Sequence, residues 1–446
     1  MQQPRTLPTL FQSSLPSHSV HSGEGLEPYR LDGLIPEVAL SPKDEEQVAS
    51  ILSICHAEGL AVVPWGGGTR MGLGNAPARY DVALLLTGLN RVLEYQPEDL
   101  TTTVQAGLTL ATLDAELRKE GQFLPLDPVG YDRTTLGGVQ ASAASGPLRH
   151  RYGTARDQTI GIRVVHADGT ITKAGGKVVK NVTGYDMNKL YIGSLGTLGI
   201  IVEASLKVMP LPASEGALLA FFPSIETAGE AALGVMGTSL DTAFLSLVAG
   251  EAVHELPGGR SVDGAAALAV GAFGQAAPIA RVLRDATAIC NRNGAAEVAT
   301  VSSNEVTNLR RVLAEAPRGG STTLMARLGV RPESVAGLIQ SMAELSNKYS
   351  FNFGAVAHIS HGIVHSGWTG KEGLMEAQRQ ATFIEEARDV ARAEGGYLVL
   401  ESAPPGVRAL VDSWGDARGG QALMSNLKQQ FDPTGVLNPG RFVGGI

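Results

Sequence analysis

Cysteine is scarce in this chain: Cys55 and Cys290 are the only two, and they lie far apart in the sequence. Without a C-x-x-C pair, neither a disulfide framework nor a zinc ribbon is expected, and an iron–sulfur cluster would need about four thiolates. No apolar run has the character of a signal-peptide core or the length of a membrane span. These absences predict a cytoplasmic protein, with any membrane association supplied by partner proteins.

An excess of positive charge is also missing. The chain has 36 Lys and Arg against 44 Asp and Glu, and its net charge of −8 argues against a nucleic-acid partner. There is no G-x-x-x-x-G-K-[ST] motif, and the loop at residues 66–72 lacks G-x-G-x-x-G spacing because Met71 stands where a glycine is needed. The length of 446 residues predicts two or three globular domains.

Glycine, by contrast, is abundant, and three in a row at residues 66–68 follow the apolar run "LAVVPW". A strand-like "EVAL" and a helical pattern, with Ser41 as the predicted N-cap and Gly59 at its end, precede that run and predict a β-α-β unit. Glycines after a strand can form a concavity of backbone N–H groups that binds an anion such as a pyrophosphate. The alternative is a tight turn that only needs positive φ angles.

A second patch of small residues, "TLGGVQASAASG", would also let an extended ligand lie against the backbone. Together with "PWGGGTRMG", "VVKNVTGYDMNKLYIGSLGTLGIIVEASLKVMPLP" and "FDPTGVLNPGR", it resembles the flavin-binding domain of the vanillyl-alcohol oxidase/p-cresol methylhydroxylase (PCMH) family. The resemblance covers residues 33–212 well and the C-terminal part more loosely. Within the family, it is strongest to the smaller FAD-binding subunits of bacterial glycolate oxidases.

The resemblance implies that FAD is the cofactor and that short segments along the chain bind its parts. The implied residues are Pro64, Gly66, Gly67, Gly68, Thr69, Met71 and Gly72 for the pyrophosphate loop, Asp127, Pro128, Thr135, Gly137, Gly138, Ser142, Ala143 and Gly146 for the flavin side, Gly199, Ile200 and Ile201 for the adenine end, and Asn438 where the chain end returns to the flavin. Relatives with covalent FAD often carry a histidine in or beside the first glycine loop. This loop has none, so non-covalent FAD is expected.

The implied fold class is α+β: a two-lobed PCMH-type FAD-binding domain followed by an α+β cap domain with an antiparallel sheet. Helical patterns that alternate with strand-like runs after the "PLP" break agree with a sheet covered by helices on one face. The predicted divisions are an N-terminal tail at 1–32, the FAD-binding domain at 33–212, a substrate or cap domain at 213–420, and a C-terminal segment at 421–446 that returns to the flavin.

Two histidines in "AHISHGIVHSGW", His358 and His365, form the next candidate site. A hairpin with residues 361–362 as its turn would pair them directly and place both imidazoles on one face, close enough to hold one metal. The alternative is a pair of unligated histidines. Related 2-hydroxyacid dehydrogenases carry a divalent metal on two histidines with this spacing, and the resemblance implies Glu401 as the third ligand. Ser402 follows it, where those dehydrogenases commonly have a histidine.

These features predict an FAD-dependent oxidoreductase subunit that oxidises a small 2-hydroxy acid such as glycolate, with hydride passing to flavin N5. Arg327, in "LMARLGV", would bind the carboxylate, although an ion-paired or solvated arginine is the alternative. A metal on His358, His365 and Glu401 would polarise the hydroxyl. For the electrons, the resemblance implies iron–sulfur and larger flavin subunits as partners. Two other functions stay open: a non-catalytic FAD-binding subunit, and an alcohol or alditol oxidase on the same flavin domain.

Overall fold

The structure is a computed structural model that describes residues 7–12, 14–176, 184–257, 266–318, 323–370, 376–417 and 419–446. Residues 178–183 of the third motif quoted above lie outside this part. The α-helices, in chain order, are α1 (Leu7–Leu10), α2 (Glu45–Glu58), α3 (Leu110–Arg118), α4 (Leu136–Ser142), α5 (Arg149–Tyr152), α6 (Ala155–Gln158), α7 (Asn188–Tyr191), α8 (Ile225–Met236), α9 (Ala276–Arg292), α10 (Val306–Glu315), α11 (Val335–Lys348), α12 (Ala377–Ala393), α13 (Pro405–Arg408) and α14 (Gln421–Phe431).

The first lobe is built on the predicted β-α-β unit. Its sheet has the order β1-β2-β4-β3, in which β2 and β3 both run parallel to β4, and its strands are β1 (Val20–His21), β2 (Val38–Leu40), β3 (Val62–Trp65) and β4 (Val82–Leu85). The N-cap of α2 is Asp44 rather than Ser41, because the Asp44 carboxylate accepts a hydrogen bond from the Gln47 N–H at 2.8 Å. The helix ends at Gly59 as predicted.

The second lobe is an antiparallel sheet with the order β5-β6-β10-β8-β9. Its strands are β5 (Val92–Gln96), β6 (Thr101–Gln105), β8 (Thr159–Val165), β9 (Ile171–Gly175) and β10 (Ile200–Lys207), and β7 (Gln122–Phe123) pairs separately with β11 (Met209–Pro210). Helix α3 packs Leu110, Leu113 and Leu117 into the core of this lobe, which is separate from the core around Ile51 in the first lobe. The N-terminal half therefore has two lobes.

In the described residues, the C-terminal half contains one antiparallel sheet, as predicted, and this sheet has eight strands. Its order is β15-β12-β14-β13-β17-β18-β16-β19, and its strands are β12 (Ser214–Phe222), β13 (Phe244–Gly250), β14 (Ala266–Gly274), β15 (Glu297–Val301), β16 (Leu324–Gly329), β17 (Phe351–His358), β18 (Ile363–Gly370) and β19 (Tyr397–Ser402). Helices α8, α9, α11 and α12 pack against one face. The other face packs against α10 and against Phe123 and Leu148 of the N-terminal half.

The two chain ends pack against the first lobe. Residues 436–438 run beside β3: the Val62 N–H donates to the Val436 carbonyl and the Asn438 N–H donates to the Val62 carbonyl, both at 2.8 Å. Phe11, near the N-terminus, is fully buried in the core that also contains Ile51. The C-terminal segment thus lies next to the strand that leads into the glycine loop.

Candidate active site

The glycine loop needs glycine because the chain itself passes close to it. A Cβ atom at Gly66 would lie 2.3 Å from Oγ1 of Thr135, and one at Gly67 would lie 1.8 Å from the Arg133 carbonyl oxygen. Gly68 has a φ of +71°, which disfavours residues with a side chain. Gly68 therefore provides the predicted turn with a positive φ, and Gly67 is a glycine because another part of the backbone passes close to it.

The loop leaves donors available for an anion. Among the described residues, the backbone N–H groups of Gly67, Gly68 and Thr69 donate hydrogen bonds to no other backbone group. They lie at the end of β3, where successive N–H groups can form an anion-binding concavity. This cradle fits the pyrophosphate of FAD.

The second small-residue patch forms the opposite wall. It is helix α4, which begins at the N-cap Thr135, whose hydroxyl accepts from the Gly138 N–H. A Cβ atom at Gly137 would lie 2.8 Å from the Cβ atom of Ala106, so only glycine lets α4 pack this closely. Between the two patches lies a cleft, and the predicted residues that line it are Pro64, Gly66, Gly67, Gly68, Thr69, Met71, Thr135, Gly137, Gly138, Ser142, Gly199, Ile200, Ile201 and Asn438.

Five predicted cofactor residues do not line this cleft. Asp127 and Pro128 line a separate cavity, where the Asp127 carboxylate is 3.5 Å from Nη1 of Arg310 and accepts from the Leu148 N–H. Gly146 packs on Asp127, because a Cβ atom there would lie 1.9 Å from the Asp127 carbonyl oxygen. Ala143 is the C-cap of α4 with a φ of 50°, and Gly72 lies just outside, against Glu401.

Sequence reasoning also missed several lining residues, namely Arg70, Leu73, Leu86, Ala106, Ala141, Leu195, Gly196 and Arg441. Arg441 has a clear structural role, since its guanidinium donates to the carbonyls of Met71 and Leu73, both at 2.6 Å. It is buried, and burial lowers its pKa to about 10. Its position in "LNPGR", three residues after Asn438, is the signal that could have identified it.

The histidine pair lies on the face of the cap sheet that is not covered by α8, α9, α11 and α12. The predicted pairing of His358 with His365 is wrong, because the turn spans residues 359–362 and the register pairs His358 with Ile363 and Val356 with His365. The two imidazoles still share a face as diagonal neighbours, with ring centroids 5.7 Å apart.

Arg327 is directly opposite His365 on the neighbouring strand β16, so their side chains share this face. His358 is buried, and its Nδ1 is 3.2 Å from the Ser246 hydroxyl. Burial, and next the charge of His365, hold the pKa of His358 well below its usual value, so its imidazole is neutral at physiological pH. The structure therefore brings Arg327, His358 and His365 together as predicted.

Glu401 joins this cluster from β19. Its Oε2 is 3.4 Å from Nδ1 of His365, and its Oε1 accepts from Nη2 of Arg70 at 2.6 Å. Ser402 and Glu401 line a further cavity of about 760 Å³ that shares Thr69, Arg70 and Met71 with the flavin cleft. Through Glu401, the acid–base cluster therefore reaches a cavity that adjoins the cleft.

The predicted metal ligands do not fit a metal ion. No group of three or more His, Cys, Asp and Glu side chains in the described part of the chain has an arrangement that could hold one. The reason is visible at Glu401, where the guanidinium of Arg70 already contacts the carboxylate and would repel a divalent cation. His358, His365 and Glu401 form a cluster in which a carboxylate faces an imidazole, and no metal step is assigned to it.

Comparison with known proteins agrees with this geometry. Residues 36–175 match the family described as "FAD binding domain", and residues 211–442, more than half of the chain, match "FAD linked oxidases, C-terminal domain". The chain belongs to the FAD-linked oxidases. This FAD-linked oxidase is 29% identical to the glycolate oxidase subunit GlcD of Bacillus subtilis, over 97% of its own length and 95% of that protein.

A second relative of this FAD-linked oxidase is a D-lactate dehydrogenase of Archaeoglobus fulgidus, 28% identical over 93% of the chain and 95% of that protein. A solved structure of p-cresol methylhydroxylase with substrate bound superposes with a TM-score of 0.78 at 17% identity, covering 97% and 95% of the two chains. The predicted family, the α+β fold class and FAD as the cofactor are confirmed, and the protein is an FAD-linked oxidoreductase. Assignment to the smaller flavin subunit stays a prediction.

No helix in the described ranges is both long and apolar enough to cross a membrane.

Proposed function

We propose that this FAD-linked oxidase oxidises a small 2-hydroxy acid such as glycolate and passes the electrons to a partner protein. The observation that carries the proposal is the contact of His365 with Glu401, opposite Arg327 and beside the flavin cleft. The names of its relatives support the substrate class: glycolate oxidase, D-lactate dehydrogenase, and a D-2-hydroxyglutarate dehydrogenase of Xanthomonas citri that is 28% identical over 90% of the chain and 88% of that protein.

FAD, when bound, supplies the acceptor for the hydride that leaves C2 of the substrate. Arg327 would bind the substrate carboxylate, since a guanidinium presents paired N–H donors that match two carboxylate oxygens. His365 would accept the hydroxyl proton as the general base, and Glu401 would orient its ring and stabilise the imidazolium that forms. His358, which is neutral and hydrogen-bonded to Ser246, would lie beside His365 as a wall of this pocket.

Partner proteins would carry the electrons onward. The chain has only two cysteines, and both are buried as free thiols in the structure. Burial raises the pKa of Cys55 to about 12 and that of Cys290 to about 11, so neither is disposed to act as a thiolate ligand. We propose that iron–sulfur clusters lie on other chains, and that a larger flavin subunit, which the resemblance implies, is a further partner.

The test is anaerobic mixing of the FAD-loaded protein with glycolate or D-lactate, followed by the loss of the oxidised-flavin absorbance. We expect reduction by at least one of these acids. His365→Asn should slow the reduction about 10²- to 10⁴-fold, the usual contribution of a general base. His361→Asn is the matched control, because His361 is exposed in the turn of the same hairpin. Equal rates in the two variants would contradict the role of His365.

A non-catalytic FAD-binding subunit is the second candidate function. The contact between Arg70 and Glu401 favours it, since it occupies the carboxylate that would otherwise serve the reaction, and Ser402 lacks the basicity of a histidine. Fully FAD-loaded protein that neither acid reduces, but that is required for activity of a complex with a larger flavin subunit, would establish this role. Reduction by alditols and not by 2-hydroxy acids would instead identify an alditol oxidase.

A further inference from the structure

The short helix α5 docks the FAD-binding domain onto the cap sheet. His150 is 2.7 Å from the Ser360 hydroxyl through Nδ1 and 2.7 Å from the Thr242 hydroxyl through Nε2. Arg151 donates to the Phe273 carbonyl at 2.9 Å and pairs with Asp241 at 2.9 Å. Arg149, the first residue of α5, is therefore held next to the hairpin that carries His358 and His365.

Arg149 differs from Arg151 in having no partner of its own. Its side chain makes no hydrogen bond or ion pair within the described part of the chain, and its Nε is buried. The Nε of Arg327, on the opposite side of the domain boundary, is also buried without a partner. A carboxylate at this boundary would give both groups an acceptor, which would be favourable because a buried guanidinium N–H without one is not.

Arg149 lies within electrostatic reach of Arg327. Burial, and next the positive charge of Arg327, lower the pKa of Arg149, and the charge of Arg149 in turn contributes to lowering the pKa of His358. Tyr397 and Asp157 have the opposite effect, because each of them raises the pKa of Arg149. The Asp157 carboxylate is already engaged at the N-cap of α6, where it accepts from the Thr154 N–H at 2.7 Å and from its hydroxyl at 2.8 Å.

Tyr397 helps to define the side of the sheet on which these groups meet. It pairs with Gly329 on β16, two residues after Arg327, and a Cβ atom at Gly329 would lie 2.3 Å from Cε1 of the tyrosine ring. The ring therefore lies over Gly329 on the face that also carries Arg327 and His365. Arg149 approaches this face from the FAD-binding domain.

We infer that Arg149 is a second carboxylate-binding residue, and that the substrate carboxylate is held between Arg149 of the FAD-binding domain and Arg327 of the cap domain. The inference rests on the proposed function and extends it, because it requires both domains for substrate binding. A carboxylate has two oxygens and can accept from both guanidinium groups, which gives each of them an acceptor and offsets their positive charge. The bound FAD pyrophosphate does not compete for this position, since its cradle is the loop at residues 66–69.

The test uses oxalate, a carboxylate that has no C–H bond to oxidise, added to the FAD-loaded protein while the flavin absorbance spectrum is recorded. We expect oxalate to perturb the spectrum with a dissociation constant that Arg149→Gln raises at least tenfold. Arg149→Lys, which keeps the charge without the paired donors, should lie between the two. Arg156→Gln is the matched control, because Arg156 is an exposed arginine of the neighbouring helix that donates only to the Lys189 carbonyl.

Oxalate binding that is unchanged in Arg149→Gln, or that is absent in the wild type, would overturn the inference. FAD content and melting temperature, measured on every variant, show whether it has folded, and Arg149→Lys retains the test if Arg149→Gln does not fold. The proposed function is judged separately by flavin reduction with glycolate or D-lactate. A protein that is reduced by these acids but binds oxalate independently of Arg149 would keep the function and lose the inference.

Discussion

Arg70 and Glu401 lie 331 residues apart in the sequence, and Nη2 of the arginine donates to Oε1 of the glutamate at 2.6 Å. Their side chains are 10% and 2% exposed, so the contact is a buried ion pair between the glycine loop of the FAD-binding domain and strand β19 of the cap. It connects the cofactor loop directly to the acid–base cluster.

Arg70→Gln should destabilise the protein by about 3 kcal/mol, because it removes a positive charge beside a buried carboxylate. Urea denaturation measures this change. Arg392→Gln is the control: Arg392 pairs with Asp389 at 2.9 Å on the surface, where both side chains are more than 60% exposed, and its loss should cost less than about 1 kcal/mol. Equal urea midpoints for the two variants would show that the Arg70–Glu401 contact contributes nothing to stability.

Gly67→Ala should weaken FAD binding. The new methyl carbon would lie 1.8 Å from the Arg133 carbonyl oxygen, and that atom is backbone, so the loop has to move away from the segment that leads into α4. We expect FAD to bind at least about tenfold more weakly, equivalent to about 1.4 kcal/mol, as measured by the recovery of flavin fluorescence on dilution.

Gly25→Ala is the control for this substitution, because a Cβ atom at Gly25 would meet nothing within 4 Å and its φ is not positive. Circular dichroism of both apoproteins separates a loss of cofactor affinity from a loss of fold. Full FAD occupancy in Gly67→Ala would mean that the loop geometry is not what positions the cofactor.

Local patterns were enough to predict the β-α-β unit that leads into the glycine loop, since its apolar runs, the end of its helix at Gly59 and the three glycines lie close together in the sequence. The histidine hairpin shows why predictions of strand register, which depend on less local contacts, are less accurate. The turn has four residues instead of two, which shifts the pairing so that His358 faces Ile363 rather than His365. A shift of two residues leaves every side chain on its original face, so the shared face of the histidines was predicted correctly from a wrong register.

Asp127 shows that a contact between residues far apart in the sequence could not be predicted. The resemblance assigns it to the flavin, but the structure turns it toward Arg310, which is 183 residues away on a helix of the cap domain. No pattern around "PLDPVG" contains that information. For the same reason, the contact of Arg70 with Glu401 and the position of α5 beside the histidine hairpin could be found only in the folded chain, where the two domains supply one partner each.

The buried Asp127 should make stability fall as the pH rises toward neutrality. Burial raises its pKa from 3.8 to about 7, against the opposing effects of Arg310 and the Leu148 N–H. Between these values the folded carboxyl keeps a proton that the unfolded chain releases, so the free energy of unfolding decreases with pH, by at most about 1.4 kcal/mol per pH unit for this group. Above about pH 7 the Asp127 carboxyl is ionised in both the folded and the unfolded chain, so the free energy of unfolding no longer changes with pH through this group.

Asp127→Asn removes this titration, so its stability relative to the wild type should rise between about pH 4 and pH 7. The measurement is a series of urea midpoints at several pH values. Asp114→Asn is the control, because Asp114 lines the same cavity but forms a partly exposed pair with Arg118. A pH-independent difference between Asp127→Asn and the wild type would show that Asp127 titrates normally.

The flavin should be released completely by acid precipitation. The described residues that line the cleft include no histidine, cysteine or tyrosine that could form a covalent bond to the cofactor. The cradle predicted for the pyrophosphate at residues 66–69 offers backbone N–H groups, which bind by hydrogen bonds alone. After precipitation and centrifugation, we expect all flavin absorbance in the supernatant. Colour that stays in the pellet after denaturing washes would demonstrate a covalent link.

The last prediction concerns the electrons after substrate oxidation. FAD takes up two electrons, and this chain has only the buried thiols of Cys55 and Cys290, too few for the roughly four thiolates of an iron–sulfur cluster. We therefore expect the purified chain to bind FAD and to turn over slowly with oxygen, and to gain activity when a cysteine-rich partner is added. Peroxide production and dye reduction, measured with and without the partner, give the comparison. Fast peroxide production by the isolated chain would place it among the oxidases that use oxygen directly, and no partner would then be needed to explain the cycle.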